Sequence, residues 1–251
     1  MSEKIHLMSH LVAGYPTDDI AFRAAAALVK GGTDILEIQL PFSDPSADGP
    51  LIQTACTQVL SRGYRVDDGL AFIARLRKAF PQTTIYLMSY GSLVYTPGVA
   101  NFCQKAASAG VNGMIIPDLP FDHDEGLTEN CRKYGMENIP VAAPSMAQER
   151  LSKLSHAGYP HIYAALRTGI TGKQTNIGSH TIEFLDRVKS GGSLVYGGFG
   201  IYTGVQAAEL ASHVAAVVAG SVFVKIIAQN QNKPDILEKE ILEKARELSH
   251  I

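Results

Sequence analysis

Residues 34–50 read DILEIQLPFSDPSADGP, an apolar run followed by a loop that contains three prolines. The run 34–40 is typical of a buried strand, because it is mostly apolar and ends at Pro41. A carboxylate inside such a strand, here Glu37, is costly to bury unless it is paired or protonated. The rigid loop is expected to hold a second carboxylate, Asp48, near Glu37. Spacing alone leaves open an ordinary alternative, in which Glu37 is paired with an arginine and the loop is a solvated acidic turn.

Apolar runs typical of strands alternate with helical segments along the whole chain. The eight runs are 7–13, 34–40, 84–89, 113–117, 139–143, 161–166, 193–197 and 215–219. Helices are expected near 17–30, 51–62, 66–80, 98–109, 122–134, 147–156, 179–190, 204–212, 222–227 and 234–250. This alternation predicts an α/β fold with a parallel sheet, and eight repeats favour a single (β/α)8 barrel of the TIM type, with additional helices, over residues 1–251. No GxGxxG follows an early strand, which argues against a dinucleotide site.

The composition excludes several classes of function. The chain has 251 residues, 46% of them hydrophobic, and a net charge of −2, which suits one globular domain. It has no basic stripe for nucleic acid and no apolar run that would span a membrane, so a cytoplasmic protein is expected. The three cysteines, Cys56, Cys103 and Cys131, are scattered and lack the spacing of metal ligands. We therefore expect no metal and no cofactor.

Glycines cluster after the last three predicted strands, at residues 169–172, 198–200 and 220–221. Backbone N–H groups at glycines and helix N-termini commonly bind phosphate, and late strand ends supply such sites in TIM barrels. Each glycine alone would be an ordinary turn, but three clusters together predict a phosphate site. The residues expected to form it are Gly172, Gly198, Gly200, Gly220 and Ser221. The loop that begins at Arg167 is expected to be a mobile lid.

Several motifs, in the same order, resemble the signature of the tryptophan synthase alpha subunit family. They are PFSDP at 41–45, ADGP at 47–50, PDLP at 117–120, GITG at 169–172 and GGFGI at 197–201. The resemblance runs from about residue 11 to about residue 227. It implies a (β/α)8 barrel that splits indole-3-glycerol phosphate, a phosphorylated indole substrate, into indole and glyceraldehyde 3-phosphate. It also implies a beta-subunit partner in an alpha2-beta2 assembly.

The resemblance also implies roles for individual residues. Glu37 would be the general acid–base, and Asp48 would accept a hydrogen bond from the indole N–H. Asp44 and Pro41 would belong to a loop that faces the beta subunit. The remaining pocket and lid residues would be His10, Tyr90, Tyr163, Arg167, Thr171 and Phe199.

The sequence departs from the family pattern at the mouth of the expected barrel. Gln39 and Tyr202 stand where small residues are usual, Ser92 replaces asparagine, and Leu166 replaces serine. His10 occupies a position that is usually apolar. We expect Gln39 either to fill substrate volume or to hydrogen-bond Glu37. The sequence thus leaves open an alternative function, an impaired lyase that acts mainly as a ligand-binding activator of the beta subunit; a sugar phosphate isomerase is disfavoured by residues 37–50.

Overall fold

The computed structural model describes residues 5–167 and 177–250, and its centre is one parallel β-sheet. The strands are β1 Leu7–Val12, β2 Ile35–Gln39, β3 Thr84–Met88, β4 Gly113–Ile115, β5 Glu137–Asn138, β6 Val141–Ala142, β7 His161–Ala165, β8 Leu194–Gly198 and β9 Ala216–Ala219. They are hydrogen-bonded in the order β5-β4-β3-β2-β1-β9-β8-β7-β6, and every described pair is parallel. All eight predicted runs therefore contain strand residues.

The sheet closes into a barrel through residues 137–142, where one run was predicted and two short strands occur. Pro140 has no N–H to donate, so the strand is interrupted there. The chain nevertheless bonds to both neighbours. The N–H of Ile139 donates to the carbonyl of Met114 at 2.8 Å, and that of Tyr163 donates to the carbonyl of Pro140 at 2.9 Å. This segment joins the two ends of the sheet, and the predicted parallel barrel is confirmed.

Helices follow the strands and cover the outside of the sheet. They are α1 Asp18–Lys30, α2 Pro50–Leu60, α3 Val66–Ala79, α4 Gly91–Tyr95, α5 Val99–Ser108, α6 Leu127–Lys133, α7 Gln148–Ser155, α8 Ser179–Val188, α9 Gly204–Ala211, α10 Ser221–Gln229 and α11 Pro234–Ser249. The short helix α4 was not predicted. In the described part, none of the helices combines the length and the apolar character that crossing a bilayer requires.

The sequence placed the start of α6 at residue 122, which is wrong by five residues. Gly126 has a φ of +83°, in the left-handed region that a helix interior does not tolerate. The Asp124 carboxylate accepts hydrogen bonds from the N–H groups of Gly126 and Thr128. A glycine turn held by an aspartate therefore precedes the helix, a use for which aspartate is well suited.

The apolar core has two layers because strand side chains alternate between the faces of the sheet. On β2, Leu36 and Ile38 pack outward against the helices, whereas Ile35 packs inside the barrel. The buried apolar residues inside the barrel are Met8, Ile35, Tyr86, Met88, Tyr90, Ile115, Ile139, Tyr163, Tyr196, Ala216 and Val218. Glu37 shares the face of Ile35, so the fold directs its carboxylate into the barrel.

Candidate active site

The barrel holds a pocket at the carboxyl ends of its strands, the end that carries the active site in this fold. The pocket contains about 610 Å³ of space, a figure that includes solvent at its open mouth. Its walls are mostly apolar, with side chains such as Ile52, Ile115 and Val218. The predicted site residues that line it are His10, Glu37, Asp48, Tyr163, Phe199, Gly200, Gly220 and Ser221. Residues from both halves of the chain thus meet in one apolar cavity with few polar groups, as expected for a small-molecule site.

Glu37 is buried in this pocket and its partner is a histidine. His10 on β1 lies opposite Glu37 on β2 in the strand register, and its Nδ1 is 3.4 Å from Glu37 Oε1. The alternative in which an arginine pairs with Glu37 is therefore wrong. Burial by itself lowers the pKa of His10, but the neighbouring carboxylates of Glu37 and Asp48 outweigh it and raise that pKa above 6.5. The pair can hold one proton between an imidazole and a carboxylate.

Asp48 is the second buried carboxylate, and two side chains hold it. Its Oδ2 accepts a hydrogen bond from the Tyr90 hydroxyl at 2.7 Å and another from Gln39 Nε2 at 2.8 Å. Burial raises the pKa of Asp48 above its ordinary value, while His10 and these two donors oppose the rise. Because both donors act on the same oxygen, they fix the orientation of the carboxylate.

The loop that carries Asp48 is itself anchored to the barrel. The Tyr90 hydroxyl accepts a hydrogen bond from the N–H of Ala47 at 3.2 Å, and the Tyr90 ring stacks on Phe42 with centroids 5.1 Å apart. Gln53 on α2 donates to the backbone carbonyl of Asp48 at 2.7 Å. The predicted pocket residue Tyr90 thus supports the loop and its carboxylate together.

The late glycines meet at the far wall of the pocket. Gly200 has a φ of +82°, and Phe199 before it has a φ of +84°, which is unusual for a residue with a bulky side chain. At Gly198 a Cβ atom would lie 2.5 Å from the Tyr163 hydroxyl, so only glycine fits there. The positive φ of Phe199 is a strained backbone conformation, and such strain concentrates at functional sites.

Ser221 begins α10 directly after Gly220, so the first N–H groups of that helix border the pocket. Helix N-termini leave their first N–H groups without partners inside the helix and attract anions. Gly198 lies behind the lining, with its carbonyl accepting the N–H of Leu166 at 2.8 Å. Two of the predicted residues, Thr171 and Gly172, lie outside the described residues.

Four residues at the expected barrel mouth differ from the family pattern, and one of them, Tyr202, lines the pocket. Its hydroxyl interacts with Ser221 and, electrostatically, with Arg167, the described start of the predicted lid. Gln39 is fully buried and bonds Asp48, so the expectation that it fills substrate volume or bonds Glu37 is wrong. Leu166 is buried in the outer layer of the core, and Ser92 is exposed at the start of α4.

The two residues predicted to face a partner differ in exposure. Asp44 is exposed, and its carboxylate accepts a hydrogen bond from the Ser43 hydroxyl at 2.6 Å. Pro41 is buried within this chain, two residues after the end of β2.

Sequence reasoning did not identify the apolar walls of the pocket as functional residues. Met88, Ile115, Val141 and Val218 line the cavity on or beside β3, β4, β6 and β9. Their positions in the sequence could have identified them, because each lies near the carboxyl end of a predicted strand, on its inward face. Within residues 5–167 and 177–250, no group of three histidine, cysteine or acidic side chains is placed to hold a metal ion.

Comparisons with known proteins agree on one family. The family model described as tryptophan synthase alpha chain matches residues 1–251. The tryptophan synthase alpha chain of Methanosarcina acetivorans is 39% identical over 233 residues, which cover 92% of this chain and 84% of that protein. That of Aquifex aeolicus is 36% identical over 247 residues, covering 96% and 93%.

Solved structures give the same answer. A mutant tryptophan synthase alpha-subunit from Pyrococcus furiosus is 29% identical and superimposes with a TM-score of 0.87, covering 99% of each chain. A structure of Mycobacterium tuberculosis tryptophan synthase is 31% identical with a TM-score of 0.87, covering 98% of this chain and 93% of that one. The chain therefore belongs to the tryptophan synthase alpha chain family, the lyases that cleave indole-3-glycerol phosphate in tryptophan biosynthesis.

Proposed function

We propose that this chain performs the cleavage with Glu37 as general acid–base and Asp48 as the acceptor for the indole N–H. The observation that carries the proposal is the placement of two buried carboxylates in one apolar pocket whose far wall is built from late glycines. An indole ring suits the apolar walls of this pocket, and the phosphate end of the substrate would reach the glycines. Such a division of one pocket into apolar and anion-binding parts matches the chemical structure of indole-3-glycerol phosphate.

The proposed reaction is a retro-aldol cleavage. Protonated Glu37 gives its proton to C3 of the indole ring, and the ring nitrogen takes up the positive charge. Asp48 stabilises that charge through its hydrogen bond with the N–H. Glu37 then removes the proton of the hydroxyl on the carbon bonded to C3, the carbon–carbon bond breaks, and its electrons return to the ring. Indole and glyceraldehyde 3-phosphate leave, and Glu37 has regained the proton it gave.

We place the phosphate on backbone N–H groups at Gly200 and Ser221, with Gly220 allowing the chain to approach closely. A phosphate at the N-terminus of α10 needs no lysine. Arg167 and the loop after it, which includes Thr171 and Gly172, would close over the bound substrate.

We expect Ser221→Asp to raise the KM for indole-3-glycerol phosphate by at least about tenfold, because a carboxylate would face the phosphate dianion. The change in kcat should be smaller, since the residue is away from the reacting carbon. Ser190→Asp is the matched control, because it adds the same charge at the amino-terminal end of β8. If the two substitutions raise KM equally, the substrate phosphate does not bind at Ser221.

The proposed partner is a tryptophan synthase beta subunit, in an alpha2-beta2 assembly that receives the indole. Family membership and the exposed Asp44 beside the anchored Asp48 loop support it, since a partner that contacts the loop would act on the second carboxylate. A cytoplasmic location is also proposed, in keeping with three cysteines that are free and buried.

The second candidate, a weak lyase that mainly activates the beta subunit, keeps one observation in its favour. Tyr202 lines the pocket next to Ser221, where a smaller residue would leave more room for the phosphate. Measuring indole release by the isolated chain, and again with the beta subunit present, separates the two functions. Brisk release by the isolated chain supports the lyase, whereas activation of the beta subunit by a chain that releases almost no indole supports the second candidate.

Gln39 gives a further test, since it holds Asp48. We expect Gln39→Met to lower kcat/KM by about tenfold or more, because it removes a hydrogen bond to a buried charged group at nearly constant volume. Gln58→Met, on α2 away from the pocket, is the control. If Gln39→Gly instead speeds indole release, the side chain obstructs the substrate and the supporting role is wrong.

A further inference from the structure

His10 is buried beside Glu37 in the pocket. Its side chain is 7% exposed and that of Glu37 is 6% exposed, with His10 Nδ1 3.4 Å from Glu37 Oε1. The other ring nitrogen, Nε2, is buried and has no hydrogen-bond partner among the described residues. On its other side the ring lies against Gly220, where a Cβ atom would approach His10 Cβ to 3.0 Å. The imidazole therefore lies between the proposed acid–base and the proposed phosphate wall.

The groups around His10 carry net negative charge, which a proton on the imidazole would offset. Glu37 on β2 and Asp48 in the loop before α2 are the carboxylates that line the described pocket. Tyr163 on β7 and Tyr202 after β8 are neutral phenols with raised pKa values, and burial raises the pKa of the Cys56 thiol on α2 to about 12. Of the described lining residues, His10 is the one whose side chain can carry positive charge. Two buried carboxylates thus face one group that can offset them.

We propose that His10 is a positioning residue for Glu37, forming a dyad in which one proton is shared between the imidazole Nδ1 and the carboxylate. This inference rests on the proposed acid–base role of Glu37. In the resting site the shared proton is on His10 Nδ1. Transfer of that proton to Glu37 makes the carboxylic acid that protonates indole C3. The hydroxyl proton later returns to Glu37 and then to His10, so the dyad ends with the proton it started with.

The direct test is the titration of His10, which needs no turnover. In an NMR titration of the full chain, the His10 imidazole should titrate above pH 6.5. Glu37→Gln should lower that midpoint by about one unit or more, because burial remains while one carboxylate is removed. His10→Asn identifies the resonance. A His10 midpoint that does not move in the Glu37→Gln variant overturns the dyad.

The kinetic test separates a proton role from a packing role. His10→Asn keeps a donor near the Nδ1 position but cannot titrate. In wild type the dyad loses two protons in two macroscopic steps. The variant should lose the acid limb of its kcat/KM profile, and its kcat/KM should fall at lower pH than that of wild type, because the imidazole no longer holds the proton that goes to C3. A profile of unchanged shape, lowered equally at every pH, would mean that His10 only fills space.

A matched control exists elsewhere in the barrel. His161 at the start of β7 pairs with Glu137, with 2.6 Å between Nδ1 and Oε2, at the end of the barrel opposite the pocket. His161→Asn should leave the pH profile of kcat/KM unchanged. The controls also separate this inference from the proposed function. If Glu37→Gln abolishes turnover while the His10 variant keeps the wild-type profile, the dyad alone fails, and if Glu37→Gln retains turnover, the acid–base role itself fails.

Discussion

Glu37→Gln should release indole at least about a thousandfold more slowly than wild type while still binding phosphate ligands. Glutamine keeps the shape of the side chain but cannot give a proton to indole C3 or take one from the hydroxyl, and general acid–base catalysis typically contributes 10²- to 10⁴-fold. The measurement is kcat from indole release at saturating indole-3-glycerol phosphate. Unchanged affinity for glycerol 3-phosphate would show that the pocket is intact.

The control for this variant is Glu137→Gln. Glu137 is also paired with a histidine, His161, but at the other end of the barrel. It should therefore keep wild-type kcat. Retained turnover in Glu37→Gln, or an equal loss in Glu137→Gln, would take Glu37 out of the mechanism.

Asp48→Asn should lower kcat by about 10²- to 10³-fold, the range found when one preorganised group that stabilises the transition state is removed. Asparagine has no charge to offset the positive ring nitrogen, and its amide N–H groups compete with the donors Tyr90 and Gln39. Asp44→Asn, an exposed change in the same loop, should leave the isolated lyase unaffected. If both variants lose activity equally, the loop matters as a whole and Asp48 has no special role.

The same substitution has a stability consequence with a definite sign. The folded-state pKa of Asp48 is raised, chiefly by burial. A raised pKa means that this carboxyl favours folding at acid pH and that the contribution is lost as the pH rises through the folded pKa. Ionised Asp48 therefore costs stability above the folded pKa, so Asp48→Asn should not lower the Tm in that range. A large fall in Tm would instead assign the lost activity to unfolding.

The alternation of apolar runs with helical segments predicted the barrel, because each of these patterns is a local property of the chain. The clustering of glycines near Gly200 and Gly220 was also visible, since these residues follow predicted strands. The pairing of Gln39 with Asp48 was not, because it depends on how the proline-containing loop folds back over the barrel. The break at Pro140 and the burial of Pro41 likewise depend on neighbouring strands and loops.

His10 illustrates the same difference. Its place in the pocket was expected, but its pairing with Glu37 follows from the register of β1 against β2, in which the two residues are direct partners. Register is set by contacts across the whole sheet. A sequence position therefore indicated that His10 belongs to the site, whereas only the folded chain gave it a chemical partner.

The most direct test of the account is a crystal structure of the Glu37→Gln variant with indole-3-glycerol phosphate bound. We expect the indole N–H within hydrogen-bond distance of the Asp48 carboxylate, C3 facing residue 37, and the phosphate on the N–H groups of Gly200 and Ser221. A phosphate at the amino-terminal end of the strands, or an indole ring turned away from Asp48, would contradict the proposed arrangement.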